Sequence, residues 1–102
     1  MKNILLLLSN GFEILEASAF IDVMGWNFEE GDNSTMLYSC GLRKEINSSF
    51  NQKFTVDYVL NEVEVDSFDA LVVPGGFKNY GYYMDSFNIE FLNLIREFKS
   101  KA

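Results

Sequence analysis

The segment FDALVVPGG, residues 68–76, carries the pattern that decides the fold class. Ala70–Val73 is an apolar run without alternation, which is typical of a strand buried on both faces of a parallel sheet. Pro74 cannot continue a central strand, and Gly75 and Gly76 permit a sharp turn. The segment therefore predicts a buried parallel strand that ends abruptly in a tight turn.

A second run of the same kind opens the chain. Ile4–Leu8 is continuously apolar and is followed by the turn-like residues 9–11, so it predicts another buried strand. Glu13–Met24 is predicted to be a helix, with Gly25 as its C-cap and Trp26–Ser34 as a loop.

The predicted first helix is apolar on two sides. Two sets of residues recur at helical spacing: Ile14, Ala17, Ile21 and Met24 form one stripe, and Leu15, Ala19 and Val23 form the other. We expect such a helix to be buried twice, once against its sheet and once against another surface.

The remaining elements complete an alternating pattern. They are, in chain order, a strand at Thr35–Cys40, a turn or hairpin at Gly41–Lys53 with a returning strand at Phe54–Val56, a short helix or irregular turn at Tyr58–Val65, an aromatic loop at Phe77–Asp85, and a helix at Phe87–Phe98 capped by Asp85 or Ser86. This order indicates βαβ units. The fold class is therefore α/β, a flavodoxin-like three-layer sandwich with a mostly parallel sheet.

Composition and charge exclude several function classes. The 102 residues make one domain at most, and 15 acidic residues against 8 basic ones disfavour nucleic acid and anionic membranes. No apolar stretch is long enough for a signal peptide or a membrane span, and one cysteine fits a reducing compartment, so a cytoplasmic location is predicted. The sequence has no histidine, which excludes Ser-His-Asp and Cys-His arrangements within the chain. No metal or cofactor is expected.

The candidate site lies where the first and third main strands end. In open α/β sheets the ligand crevice lies at the carboxyl ends of the strands, so Ser9–Phe12 and Pro74–Phe77 should converge. The N–H groups of Gly75 and Gly76 would then form an oxyanion site, unless these glycines serve only the turn. Glu16, in the first turns of the helix, would act as an acid in apolar surroundings or simply complement the helix dipole.

Other residues near the crevice are candidates for substrate contact or for packing. We expect Asn10, Glu13 and Phe77 to contact a substrate, although Glu13 also fits a dipole-complementing role at the helix start. Three tyrosines would either wall a pocket or pack on the core or a partner: Tyr80, Tyr82 and Tyr83. Four acidic residues are spaced like a solvated face rather than a metal site: Glu62, Glu64, Asp66 and Asp69.

Cys40 is an unsuitable nucleophile. A nucleophile elbow needs a strand, a sharp turn and a helix whose dipole lowers the thiol pKa. Cys40 is followed instead by the polar, hairpin-like residues 41–49, and no histidine is available to activate it.

The motifs together resemble the start of the ThiJ/PfpI superfamily, which has a class I glutamine-amidotransferase-like fold and includes protein deglycases and PfpI-type proteases. The resemblance covers nearly the whole chain and rests on four segments: Ile4–Leu8, GFEILE at 11–16, IDVM at 21–24 and FDALVVPGG at 68–76.

The resemblance implies a role for each matching residue. Glu16 occupies the place of the family glutamate that hydrogen-bonds the reactive cysteine, and Gly75 and Gly76 match the glycines that supply oxyanion-hole N–H groups. The family nucleophile follows the next strand, beyond Ala102, as does the family histidine. The family usually dimerises, which implies a homodimer through the first helix.

The resemblance therefore implies that residues 1–102 are the N-terminal part of a single domain whose elbow strand and C-terminal half are absent. We expect this chain alone to be inactive, and to need that C-terminal half or a second chain. The whole protein would be a cysteine-nucleophile hydrolase or a glyoxalase/deglycase-like enzyme acting on small carbonyl or amide substrates. The alternatives are a stress-response, redox-sensing or chaperone-like protein and a binding subunit completed by a partner chain. Receiver-domain and flavin-binding interpretations are weaker, because the first loop has neither an acidic pocket nor a run of hydroxyls.

Overall fold

The computed structural model describes residues 2–31 and 34–101. Its helices and strands are, in chain order, β1 (Lys2–Leu8), α1 (Ile14–Glu30), β2 (Thr35–Gly41), β3 (Glu45–Asn47), β4 (Lys53–Thr55), β5 (Tyr58–Val59), β6 (Ala70–Val72), α2 (Tyr82–Ser86) and α3 (Ile89–Lys101). Single turns of 3₁₀ helix lie at Ser49–Asn51, Leu60–Glu62, Val65–Ser67 and Lys78–Tyr80.

The central sheet is parallel throughout. Its strand order is β5-β2-β1-β6, and each neighbouring pair runs in parallel. β1 and β6 are adjacent, with Leu5 opposite Leu71, as the predicted winding requires. β3 and β4 form a separate antiparallel hairpin. Within the described residues, β6 is an edge strand, and its residues are exposed or only partly buried rather than buried on both faces as predicted.

β1 is buried on both of its faces, as predicted. Leu5 and Leu7 belong to one core and Leu6 and Leu8 to the other, because successive side chains of a strand point to opposite faces. The first core also contains Phe68 and the α3 residues Phe91, Leu94 and Phe98. The second contains Phe12, Ala17 of α1, and Ile46 and Val56 of the hairpin region. These two cores make three layers, which confirms the α/β fold class.

The first helix is longer than predicted. Glycine commonly ends helices, yet Gly25 lies inside α1, and Trp26 to Glu30 are helical rather than a loop. Gly31 takes the C-cap position, and its N–H donates to the Asn27 carbonyl at 3.0 Å. Of the predicted loop, Asp32 and Asn33 lie outside the described residues. The local glycine signal was overridden by the apolar residues beyond it, which continue the helical pattern.

Replacing Gly25 by alanine should stabilise the chain by up to about 1 kcal/mol, because glycine in a helix interior is unfavourable relative to alanine. A Cβ at this position would meet no atom within 4 Å, so no steric cost opposes the gain. Chemical denaturation measures the change. Gly31→Ala is the control and should destabilise, because its Cβ would lie 2.5 Å from the Asn27 carbonyl oxygen. Equal effects of the two substitutions would contradict the prediction.

Two other predicted boundaries need correction. Tyr58–Val65 is not a helix or simple turn at its start, because Tyr58 and Val59 pair with Cys40 and Gly41 as an edge strand. A strand of two residues carries no recognisable periodicity, so only the neighbouring β2 reveals it. The returning hairpin strand is Lys53–Thr55 rather than 54–56.

The region after the Gly-Gly turn also differs from prediction. The aromatic loop contains the short helix α2, and the last helix begins at Ile89 rather than Phe87. Asn88, rather than Asp85 or Ser86, caps it: the Glu90 N–H donates to Asn88 Oδ1 at 2.9 Å. Asp85 is unavailable as a cap because its carboxylate is buried in a different contact, described below.

Candidate functional site

The loops that follow β1 and β6 lie directly against each other, as predicted. Phe12 and Gly76 form an isolated antiparallel bridge. On one side of it the Glu13 N–H donates to the Gly75 carbonyl at 2.8 Å, and on the other the Phe77 N–H donates to the Gly11 carbonyl at 3.0 Å. Neighbouring parallel strands deliver their carboxyl ends to one sheet edge, so these loops meet there.

Two glycines allow this close approach. Gly11 has φ +76°, in the left-handed region that side chains rarely adopt, and a Cβ there would lie 2.9 Å from the Tyr80 carbonyl oxygen. A Cβ at Gly76 would overlap the Tyr82 ring and lie 2.5 Å from the Gly11 carbonyl oxygen. Both loops therefore pack more closely than a residue with a side chain allows.

Glu16 and Gly75 are in direct contact. Glu16 lies in the first turn of α1, and its Oε1 accepts a hydrogen bond from the Gly75 N–H at 3.0 Å. A Cβ on Gly75 would lie 3.3 and 3.4 Å from the two carboxylate oxygens, so the carboxylate lies close over this glycine. The side chain of Glu16 is exposed rather than set in apolar surroundings. The first turn of α1 thus places the Glu16 carboxylate at the turn after β6.

Gly75 and Gly76 differ in their hydrogen bonding. The Gly75 N–H is taken by Glu16, whereas the Gly76 N–H has no partner among the described residues. Gly76 stands in the non-hydrogen-bonded position of its bridge, so its N–H points away from Phe12. Of the two predicted oxyanion donors, Gly76 is therefore the one whose N–H is not already used in a hydrogen bond to another described residue.

Tyr82 packs against the Pro74–Gly76 turn and is hydrogen-bonded to it. Its hydroxyl donates to the Pro74 carbonyl at 2.9 Å, and its ring covers Gly76. Burial raises the pKa of the Tyr82 phenol above its ordinary value of 10.0, and the charges of Glu16 and Tyr83 raise it further. The phenol therefore remains a hydrogen-bond donor at neutral pH. Tyr82 packs on the turn, one of the roles that the sequence left open.

The three residues that were expected to contact a substrate make different contacts in the structure. The Asn10 side chain faces the hairpin, where its Oδ1 accepts a hydrogen bond from the Asn47 N–H at 3.0 Å. Glu13 meets the Gly75 carbonyl through its backbone N–H. Phe77 is 43% exposed, and the centroid of its ring lies 6.2 Å from that of the Phe50 ring.

An ion pair that the sequence did not reveal holds three loops together. Asp85 of α2 is buried, and its carboxylate receives two hydrogen bonds of 2.9 Å from the Arg43 guanidinium. The Asn10 N–H donates to the same carboxylate at 2.7 Å. The hydrogen bond to Asp85 raises the pKa of the Arg43 guanidinium above its ordinary value. Arg43 and Asp85 are 42 residues apart, and no local pattern links them.

The structure adds a further reason why Cys40 is an unsuitable nucleophile. Its side chain is completely buried in the core shared with α3. Burial raises the pKa of the Cys40 thiol from 9.0 to about 12, because the thiolate would be poorly solvated. At neutral pH the residue is a buried thiol.

Cys40 should resist a thiol-specific disulfide reagent in the folded chain and react fully after unfolding. Because its folded pKa is raised, the thiol's contribution to stability is present below about pH 9 and is lost as the pH rises towards 12. Labelling at pH 8 with and without denaturant measures the first effect, and denaturation across the alkaline range measures the second. Cys40→Ser is the control for both. Labelling in native buffer at the rate of a free thiol would contradict the prediction.

The described residues offer neither a metal-binding cluster nor a helix suited to crossing a membrane. They contain no group of three or more Cys, Asp or Glu residues that could hold a metal ion. None of the helices in residues 2–31 and 34–101 has the length and apolar character needed to cross a bilayer.

Comparison with known proteins identifies the family. The model of the DJ-1/PfpI family matches residues 2–102. YraA of Bacillus subtilis (strain 168), which bears the name of a candidate cysteine protease, is 29% identical over 77 residues, covering 76% of this chain and 43% of YraA.

Solved structures share the fold. A DJ-1 superfamily protein from Agrobacterium tumefaciens is 18% identical with a TM-score of 0.71, and covers 99% of this chain and 50% of its own. DJ-1beta of Drosophila melanogaster is 24% identical with a TM-score of 0.76, and covers 98% of this chain and 50% of its own. The chain spans about half the length of the relatives it matches. It belongs to the DJ-1/PfpI family.

Proposed function

We propose that this chain supplies the carboxylate and the oxyanion-binding turn of a thiol-dependent hydrolase or glyoxalase/deglycase-like site. The reactive cysteine would come from the C-terminal half of the domain or from a second chain. The observation that carries the proposal is the contact of Glu16 with the Gly75 N–H, beside a Gly76 N–H that has no partner within residues 2–31 and 34–101. The name of YraA, a candidate cysteine protease, supports the same class of chemistry.

The two groups would serve successive needs of such a reaction. Glu16 Oε2 has no hydrogen-bond partner among the described residues, so it can face an incoming thiol while Oε1 is held by Gly75. As the thiolate attacks a carbonyl carbon of a small carbonyl or amide substrate, the π electrons move to the carbonyl oxygen. The open Gly76 N–H would donate to that oxyanion. Tyr82 would keep the turn in place without entering the reaction.

The outer edge of β6 supports the need for a further segment. An unpaired strand edge invites pairing with another strand. The nearby α2–α3 region also exposes large apolar side chains: Met84 is 84% exposed, Phe87 68% and Ile89 61%. We propose that the C-terminal half of the domain, or a second chain, pairs with β6 and covers this surface.

The outer side of α1 supports a homodimer. Leu15 is 76% exposed and Val23 60%, which leaves the second predicted apolar stripe uncovered in the single chain. Burying this stripe against the same helix of another copy would satisfy its two-sided apolar character.

A chimera tests the proposed site. The chain, with Cys40→Ser to remove the buried thiol, is joined to the segment of YraA that follows the matched region, and folding is verified by circular dichroism. We expect one thiol that reacts with iodoacetamide at pH 6, and Glu16→Gln should slow this reaction about tenfold. Asp22→Asn is the matched control, because Asp22 is an exposed carboxylate farther along the same helix, and it should leave the rate unchanged.

The outcomes separate the candidate functions. No reactive thiol in the folded chimera, or equal rates for Glu16→Gln and its parent, would overturn the proposal. A reactive thiol together with turnover of a small carbonyl or amide substrate supports the enzyme. A reactive thiol without turnover of any such substrate would favour the redox-sensing alternative instead.

A further inference from the structure

A pocket of about 560 Å³ lies between the second half of α1, the sheet and the hairpin, away from the Glu16 crevice. Its wall is largely apolar and includes Ile21, Met24, Phe28, Leu37 and Phe54. We infer that this pocket binds a small molecule with an apolar, ring-containing body and a cationic amine. The inference is independent of the proposed function, because none of the proposed catalytic residues lines the pocket.

The size and exposure of the wall favour a ligand rather than a packing gap. Small-molecule sites typically have volumes of about 300–1,000 Å³ and are mostly apolar with few polar groups. Ile21 and Phe54 are 38% and 36% exposed, and both line the pocket between α1, the sheet and the hairpin. An apolar body in the pocket would cover these surfaces.

The lack of a side chain at Gly25 leaves space at the wall of the pocket. It lines the wall from inside a helix, where glycine is unfavourable, and a Cβ there would meet no atom within 4 Å. A larger side chain at this position would project into unoccupied space. The position therefore offers a direct way to fill the pocket.

The charge of the wall selects a cation. Its charged residues are Glu29 and Asp57, and the lining contains neither lysine nor arginine. Asp57 Oδ2 already accepts hydrogen bonds from the Ser39 N–H and hydroxyl, whereas Glu29 has no partner among the described residues. Aromatic faces in the wall add to the attraction of a cation. The Glu29 carboxylate is thus the group that an amine would meet.

The single tryptophan makes this inference measurable. Trp26 is the only tryptophan in the chain, it lines the pocket, and 64% of its surface is exposed. Its emission should shift saturably to shorter wavelength when a ligand covers it. The probes are 4-phenylbutylamine and 4-phenylbutyrate, which share an apolar body and differ in charge. On the full chain we expect the amine to bind about fivefold or more tightly, with the ratio falling as salt is added.

Substitutions locate the binding. Glu29→Gln should bring the affinities for amine and acid to within about twofold of each other, because the nearest unpaired charge is removed. Glu30→Gln makes the same change in net charge at a neighbouring residue that does not line the pocket, and should keep the preference. Gly25→Leu should abolish binding by filling the pocket, while Gly25→Ala should retain it. Calorimetry gives a second readout that does not depend on the tryptophan adjacent to position 25.

Several results would overturn the inference. These are a linear, non-saturating fluorescence response, equal affinities for the two probes, or full binding by Gly25→Leu. Sedimentation measures whether the chain self-associates. If the Trp26 emission changes with self-association rather than with added amine, a second copy of the chain covers this face and the ligand inference is wrong. Failure in any of these tests leaves the Glu16 labelling experiment unaffected, because the two sites share no residue.

Discussion

Replacing Gly76 by alanine is expected to destabilise the chain by about 3 kcal/mol, at the upper end of the cost of overpacking. The added Cβ would overlap the Tyr82 ring and lie 2.5 Å from the Gly11 carbonyl oxygen. A tyrosine side chain can rotate away, but the Gly11 contact is with backbone. Relief therefore requires the β1–α1 and β6 loops to separate, which would break the bridge between Phe12 and Gly76. Urea denaturation measures the cost.

Two other glycines make matched controls for this substitution. Gly75→Ala should cost less, because its Cβ would lie 3.3 Å from a carboxylate oxygen of Glu16, a side chain that can move. It should nevertheless disturb the contact between Glu16 and the turn. Gly25→Ala should be stabilising, as argued above. If Gly76→Ala proves no more costly than Gly75→Ala, the close approach of the two loops is not what makes glycine necessary.

Replacing Arg43 by methionine is expected to destabilise the chain by about 2–3 kcal/mol. The substitution leaves the buried Asp85 carboxylate without its cation, and removing one partner of a buried ion pair typically costs about 3–5 kcal/mol. The Arg43 side chain is 46% exposed against 6% for Asp85, so water can partly replace the guanidinium and the expected cost is smaller. Amide hydrogen exchange should also increase at Asn10, because its N–H shares this carboxylate.

A double-mutant cycle isolates the pair. Arg43→Met, Asp85→Asn and the combined variant should give a coupling energy of about 1–2 kcal/mol. The control is the pair formed by Lys53 and Glu45, which are 3.4 Å apart with side chains 69% and 58% exposed. Such exposed pairs contribute roughly 0–1 kcal/mol, so the same cycle with Lys53→Met and Glu45→Gln should give little coupling. A coupling at Arg43–Asp85 no larger than at the exposed pair would show that this contact does not hold the loops.

Much of the fold follows from local patterns. The run Ile4–Leu8 and the segment Ala70–Val73 predicted buried parallel strands. Both strands are parallel and adjacent, but only β1 is buried inside the sheet, whereas β6 lies at its edge and is at most partly buried. Their lack of alternation is informative because a strand covered on both faces needs apolar side chains on both. The same local reasoning ended α1 at Gly25, which made the predicted helix six residues too short. A glycine favours the end of a helix, but the tertiary packing that overrides this preference is not visible in the sequence.

The part of the candidate site that could be predicted is the proximity of its residues, because this depends on the strand order alone. Adjacent parallel strands bring Glu16 and Gly75 to one edge, so their proximity could be inferred once the strand order was assumed. The partition of roles between Gly75 and Gly76 could not be inferred, because it depends on which N–H the carboxylate reaches. The exposure of Glu16 also depends on side-chain geometry.

The sequence by itself determined the parallel α/β architecture, the family and the two loops that form the crevice, because periodicity, turn chemistry and short motifs are local properties. It also excluded histidine-dependent chemistry within the chain. Only the tertiary structure decided which distant groups meet: Arg43 with Asp85, Tyr82 with the Pro74 carbonyl, and Glu16 with one glycine N–H. These contacts join residues far apart in the chain or depend on side-chain direction, and the free energy that selects them comes from desolvation and hydrogen bonding in the assembled loops.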